Sequence, residues 1–453
     1  MRPGKQYRNA ITDRDRDEGV TIRRKTVLAI AWPIIISNIS TPLLGLVDTA
    51  VIGNLGDPAL IGAIAVGAMI FSFLYWGFGF LRMGTTGLVA QAAGADNHLE
   101  VKASLYRAAG LGVAIGTVLV LLQAPIAMSA FHLIDGSEAV ESAAATYFTI
   151  RIWAAPVSLL HLALMGYLLG QQKTTAILWV NLLLNGTNIV LDFVFVVGLG
   201  WGVAGIAAAT VIAEVLAVTA GLLLVRSHLT SHYAGVRVSI PVLFEVEAVR
   251  RTLLVNRDIM IRTLCLIFAL AWFTNDGAGR GDVTLAANAI LMQFVTFAAF
   301  FLDGYALAAE SLTGNAIGAR NSRQLRTTLR SIVELGLATA FALTLVFYLS
   351  GPIVIDILTN AESVRLTARD YLPWAVAAPL VSLWCFLLDG IFIGATRTRE
   401  MRDAMIASTA IYLLAWYYLA AAWDNHGLWL SLMIYYLVRA GTLLLYIRRI
   451  RVD

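Results

Sequence analysis

Apolar residues run through this chain in long continuous blocks rather than in alternation. A helix that crosses the hydrocarbon core of a bilayer needs about 20 of them. Twelve blocks reach that length, over 27–52, 60–91, 102–124, 143–170, 175–197, 203–226, 252–274, 284–313, 324–349, 367–394, 403–423 and 427–447. Polar residues, glycine or proline punctuate them. Short alternating segments of the kind that build a membrane barrel are not found. In lipid, every backbone N–H and C=O must be paired within a helix or a closed barrel. The pattern therefore predicts an all-α polytopic membrane protein with twelve transmembrane helices.

Composition removes most other classes. The 453 residues are 59% hydrophobic and 14% charged, with a mean hydropathy of +0.76. Soluble domains carry roughly 45–50% apolar and about 25% charged residues, so a soluble fold of this make-up would expose large apolar patches and aggregate. After the first two dozen residues, no polar stretch is long enough for a separate soluble domain. A soluble enzyme, a disordered chain and a nucleic-acid-binding domain are all excluded. No phosphate-binding Gly-x-x-x-x-Gly-Lys, His-Glu-x-x-His or Gly-x-Ser-x-Gly occurs, so the chain does not read as an enzyme. Cys265 and Cys385 both lie inside apolar blocks, which argues for packing rather than a disulfide or a zinc site. No metal centre or organic cofactor is expected.

Charge sets the orientation. The net charge of +4 is concentrated outside the blocks. Arg23, Arg24 and Lys25 flank the first block. The even-numbered connections hold Lys102, Arg107, Lys173, Arg226, Arg237, Arg250, Arg251, Arg320, Arg323, Arg326, Arg397, Arg399 and Arg402, and Arg448, Arg449 and Arg451 end the chain. The odd-numbered connections hold Arg280, Arg365 and little else. By the positive-inside rule, both termini are expected in the cytoplasm.

The two halves resemble each other. Gly94-Ala95 recurs as Gly318-Ala319, and Gly166-Tyr-Leu-Leu-Gly170 as Gly390-Ile-Phe-Ile-Gly394, both 224 positions later. Ala124-Pro125-Ile126 has a counterpart in Gly351-Pro352-Ile353, and Ala155-Pro156-Val157 in Ala378-Pro379-Leu380. Six spans per half make the repeat parallel, a design common among secondary transporters. The expected organisation is an N-terminal tail (1–25), an N-lobe (26–226), an inter-lobe loop (227–250), a C-lobe (251–447) and a C-terminal tail (448–453).

Ionisable residues deep in a span are expensive, so they are functional candidates. Asp48 sits late in the first span. In the fifth, Asn181, Asn185, Asn188 and Asp192 recur at helical spacing and line one face. Such a stripe suits a proton or a small cation held by oxygen atoms, or hydrogen bonds between helices. Asp303 and Glu310 lie two turns apart in the eighth span, and Asp389 lies in the tenth. Among basic residues, Arg82, Arg151 and Arg439 stand out, with Arg82 read as a structural counter-ion. His161 reads as a core residue and Glu214 as a weaker candidate. Pro33 allows a bend in the first span.

These segments together resemble the multidrug and toxic compound extrusion (MATE) transporters, in the branch of the bacterial DNA-damage-inducible protein F (DinF). The resemblance rests on Ala31-Trp-Pro-Ile34, Leu46-Val-Asp-Thr-Ala-Val-Ile-Gly-Asn-Leu-Gly56, Phe80-Leu-Arg-Met-Gly-Thr-Thr-Gly-Leu-Val-Ala-Gln91 and Asn188-Ile-Val-Leu-Asp192. It continues through Gly205-Ile-Ala-Ala-Ala-Thr-Val-Ile-Ala-Glu214, Asp303-Gly-Tyr-Ala-Leu-Ala-Ala-Glu310 and Leu388-Asp-Gly-Ile-Phe-Ile-Gly394. It implies a MATE-like fold of two six-helix lobes in a bacterial inner membrane. It implies export of small amphipathic, often cationic, organic compounds by a monomer in exchange for protons or sodium. It places the cation-coupling site at Asp48, Asn188, Asp192 and Thr210, and the helix bend at Pro33. Asp303, Glu310 and Asp389 are secondary candidates, and the substrate site is unassigned. One departure concerns the C-lobe. The acidic residue that some branches carry in the seventh span is missing between Leu264 and Thr274, which favours protons over sodium. A flippase for a lipid-linked precursor is the alternative, with few basic residues in the spans to support it.

Overall fold

A computed structural model of the protein describes residues 5–53, 58–132 and 137–450. Residues 1–4 and 451–453 of the two tails, and Asn54-Leu55-Gly56 of the motif after Asp48, lie outside the described residues. The described chain is helical, with no strand. Its helices are α1 (Lys5–Gly53), α2 (Pro58–Gly77), α3 (Phe80–Gly94), α4 (His98–Leu121), α5 (Gln123–His132), α6 (Glu138–Arg151), α7 (Ala155–Gly170), α8 (Thr174–Asp192) and α9 (Gly202–His232). They continue with α10 (Ile240–Leu243), α11 (Val246–Gly279), α12 (Asp282–Gly318), α13 (Ser322–Leu358), α14 (Glu362–Gly394) and α15 (Thr398–Tyr446).

Among the described residues, ten helical stretches are long and apolar enough to cross a membrane. They contain the expected blocks except 102–124, whose helix ends at Leu121, and 252–274, which lies within α11. The last two blocks share α15, which is a helical hairpin rather than one rod. Trp423 and Asp424 leave helical geometry, with Asp424 at φ 49° and ψ −130°. Beyond them the chain doubles back. The Tyr412 and Tyr435 rings lie 5.4 Å apart, and a Cβ on Gly427 would overlap the Leu419 carbonyl. Large apolar side chains such as Ile357 and Leu445, 78% and 80% exposed, face outward, as a surface surrounded by lipid tails requires.

The chain divides into two compact units. One is residues 36–260; the other is residues 1–35 with 261–453. The sequence repeat shows itself as the same backbone device in each. In the first unit, α3 ends with Asn97 N–H on the Ala92 carbonyl (2.9 Å) and Asp96 N–H on that of Ala93 (3.2 Å). In the second, α12 ends with Asn321 N–H on Ala316 (3.0 Å) and Arg320 N–H on Ile317 (3.0 Å). Asp96 and Arg320 both take left-handed φ, at 52° and 49°. The ends of α7 and α14 repeat this at Gln172 and Thr396, with φ 58° and 52°. This closure satisfies carbonyls that a helix end leaves unpaired.

The repeated glycines mark a shared helix crossing. A Cβ on Gly166 would come within 2.5 Å of the Arg82 carbonyl, and one on Gly170 within 2.9 Å of Val89, both on α3. In the second unit, Cβ atoms on Gly390 and Gly394 would overlap the α12 carbonyls of Ala306 and Glu310. Small residues let two backbones touch, which substitutes for the hydrophobic drive that lipid removes.

The expected loop 227–250 is short. α9 extends to His232 and α11 begins at Val246. Between them, the chain is tied to α4. Lys102 Nζ donates to Val236 O (2.8 Å), and Arg107 donates to Leu243 O (3.0 Å) and Val242 O (2.7 Å).

Candidate functional site

In the first unit, α1 and α8 meet along the amide stripe. Asn181 Nδ2 donates to the Ser37 hydroxyl at 2.6 Å, and Asn185 Nδ2 to that of Ser40 at 2.8 Å. His161 on α7 lies close to Asn181. This part of the stripe joins helices.

Further along, the chemistry changes. Asn188 and Asp192 are fully buried, and the Asp192 carboxylate lies near enough to that of Asp48 on α1 for the two to act on each other. Asn188 Nδ2 donates to the Thr210 hydroxyl on α9 at 3.3 Å, and Thr210 donates in turn to its own helix at Ile206 O, 3.0 Å. The structure thus brings together all four residues expected at the coupling site. Both oxygens of Asp192, Oδ1 of Asp48 and Oδ1 of Asn188 are buried with no protein donor. Two ionised carboxylates have only acceptors. Immediately after Asp192 the backbone widens into a π-helical turn, Phe193–Gly198, a feature frequent at functional sites.

A buried polar network lies close by. Arg151 Nη1 donates to the Tyr147 hydroxyl at 2.7 Å, and Arg151 Nη2 lies 3.7 Å from Glu214 Oε1. Its guanidinium carbon sits 4.8 Å from the centre of the Phe71 ring. The Ser158 hydroxyl bonds the other Glu214 oxygen. Glu214 is one turn from Thr210 on α9, and Arg151 is near enough to act on Asp48 electrostatically. Residue spacing did not reveal Tyr147 and Ser158, because aromatic and hydroxyl residues are ordinary in membrane helices. Among the described residues no group of three or more His, Cys, Asp or Glu side chains is arranged to hold a metal.

The carboxylates of the second unit are arranged differently. Asp303 is half-buried and Glu310 buried on α12. Asp389 on α14 is held by two arginines. Arg439 Nη2 donates to Asp389 Oδ2 at 2.6 Å, and Arg262 Nη2 bonds the same oxygen. Arg262 was missed in the sequence, although it lies ten residues inside the block 252–274. Only the fold shows that it reaches α14.

The comparisons with known proteins agree with this architecture. The sequence pattern of the MatE family matches residues 33–194 and 260–435. The chain is 42% identical to the DNA damage-inducible protein F of Escherichia coli, over 94% of this chain and 92% of that protein. It is 28% identical to a probable multidrug resistance protein NorM of Acinetobacter baylyi, over 92% and 93% of the two chains. Its fold is similar to that of the Vibrio cholerae MATE transporter VcmN in the bent form, with TM-score 0.82, 19% identity and 96% and 98% coverage. It is also similar to a MOP superfamily transporter from Pyrococcus furiosus, with TM-score 0.83, 19% identity and 94% and 96% coverage. The chain belongs to the MatE family, and is a multi-pass membrane transporter with the MATE fold rather than an enzyme.

Proposed function

We propose that the protein is a secondary antiporter that exports amphipathic organic compounds in exchange for protons, by alternating access. The observation that carries this reading is the closeness of the Asp48 and Asp192 carboxylates, which stand on two different helices, α1 and α8. Two carboxylates so close in a site with little water are costly to hold ionised together. With a proton shared, α1 and α8 are bonded; with the proton gone, the two charges repel and the helices are driven apart. Uptake and loss of one proton thereby becomes a movement of α1. Asn188 and Thr210 fix the geometry around Asp192, and Arg151 biases the charge on Asp48. Pro33 contributes no backbone donor, so α1 bends more readily above the site.

The ion gradient supplies about 2.3 kcal/mol per charge per 100 mV, with the pH difference added. Sodium is the competing coupling ion, since the oxygens of Asp48, Asn188, Asp192 and Thr210 are of the type that cations take. The second unit lends it no support, because Asp389 is already neutralised by arginine. The basic connections place both termini in the cytoplasm of a bacterial inner membrane, and the protein acts as a monomer.

The test is reconstitution in liposomes with a lipophilic cationic dye and either a proton or a sodium gradient. Efflux driven by protons alone is expected. Efflux that requires sodium would overturn the choice of ion, and no efflux with either would overturn the antiport reading.

A further inference from the structure

The Arg262–Asp389–Arg439 cluster of the second unit has no part in the proton mechanism. Two guanidinium groups share one carboxylate, and both meet the same oxygen, Oδ2. Arg262 is 8% exposed, Asp389 6% and Arg439 4%. Asp258, one turn before Arg262 on α11, is bonded by Arg257 at 2.9 Å. Besides Asp389, the Cys385 thiol and the Tyr435 and Tyr436 phenols act on Arg439 electrostatically, with the Tyr435 ring centre 5.5 Å from the guanidinium carbon. The Tyr435 hydroxyl is used on Met405 and the Cys385 thiol on the Ser382 carbonyl. The three side chains by themselves carry one positive charge more than negative. The Nε–H groups of both arginines are buried without an acceptor.

A buried, unbalanced guanidinium is costly. A planar fork of N–H donors matches a carboxylate or phosphate and takes it bidentately. We propose that Arg262 and Arg439 form a site for the carboxylate or phosphate group of an organic anion. Asp389 holds the two arginines in register and competes with that ligand for them. The site goes beyond the antiport reading, and its binding test is independent of any ion gradient.

The test is binding of radiolabelled 2-naphthoate to purified protein in phosphatidylcholine nanodiscs, with 2-naphthylmethylammonium as the matched cation. Saturable naphthoate binding is expected. It should weaken about tenfold or more in Arg262→Gln and in Arg439→Gln, the loss of one charge-assisted bond. Each of these variants keeps the other arginine paired with Asp389. Binding of the cation should not change. Asp389→Asn removes the internal competitor and should tighten naphthoate binding, whereas a purely structural cluster would lose it. If Asp389→Asn does not fold, the two arginine variants decide. Nanodiscs containing phosphatidylglycerol separate the sources of the anion. If that lipid displaces naphthoate from the wild type, a lipid headgroup occupies the site; if it does not, the ligand is a soluble anion. Folded wild type that binds no naphthoate and responds to no anionic lipid would overturn the proposal. So would binding that is unchanged in both arginine variants.

Discussion

Asn188 donates to the Thr210 hydroxyl across 3.3 Å, and this bond leaves its carbonyl oxygen buried one turn from the Asp192 carboxylate. The amide thus links α8 to the α9 hydroxyl one turn from Asp192. Asn188→Ala removes the link while Thr210 still donates to Ile206. A lost buried hydrogen bond costs about 1–2 kcal/mol, so proton-driven dye efflux should fall about tenfold. Thr210→Ala should cost less. Wild-type efflux in both variants would show that the amide plays no part.

The crossing of α14 over α12 leaves no room for a side chain at Gly394, whose Cβ would meet the Glu310 carbonyl and, at 3.0 Å, the Gly314 nitrogen. Gly394→Ala should therefore destabilise the protein by roughly 1–3 kcal/mol, the usual range for overpacking. Gly441, with nothing within 4 Å of its Cβ position, is the control. Gly441→Ala should be neutral or stabilise by up to about 1 kcal/mol, since alanine is the better helix former. Thermal unfolding in detergent separates the two; equal midpoints would refute the close crossing.

Arg107 has a side chain only 6% exposed and holds two carbonyls of the segment after α9. Its replacement by alanine frees Val242 and Leu243. Opening of the segment should become about tenfold easier for each bond of roughly 1.4 kcal/mol that is lost. Trypsin should then cut after Arg237 faster in Arg107→Ala than in wild type. Equal cleavage rates would mean that the segment is held by something else.

Pro33 lies deep within α1, 28 residues after its first described residue, and the boundary between the compact units falls at Ile35–Ile36. Pro33→Ala restores a backbone donor and stiffens the helix. Binding of tetraphenylphosphonium should persist while proton-driven efflux falls severalfold. Loss of both together would indicate misfolding rather than a stiffened α1.

Much of this was legible in the sequence because hydrophobic blocks and positive-φ helix ends leave local signatures. Gly94-Ala95 and Gly318-Ala319 mark the same helix closure, and Gly166, Gly170, Gly390 and Gly394 mark the same crossing. The spacing of Asn188 and Asp192 put both on one face, and the fold delivers that face to Asp48. What spacing left open was partnership between distant segments. Asp389 was a secondary candidate as an acidic residue within a span, and spacing could not show that Arg262, 127 positions away, and Arg439 bond it. The same holds for Asn181 and Asn185, which join α8 to the Ser37 and Ser40 hydroxyls. The hairpin at Trp423–Asp424 was visible as two blocks, but its sharpness depends on Gly427 meeting Leu419.

The most direct test of the central claim is proton release on substrate binding. Tetraphenylphosphonium would be added to purified protein in weakly buffered detergent solution, with a pH-sensitive dye to report protons. The account predicts that binding drives a proton off the Asp48–Asp192 pair, and that the release disappears in both Asp48→Asn and Asp192→Asn. Binding without proton release in the wild type, or release that survives in both variants, would contradict it.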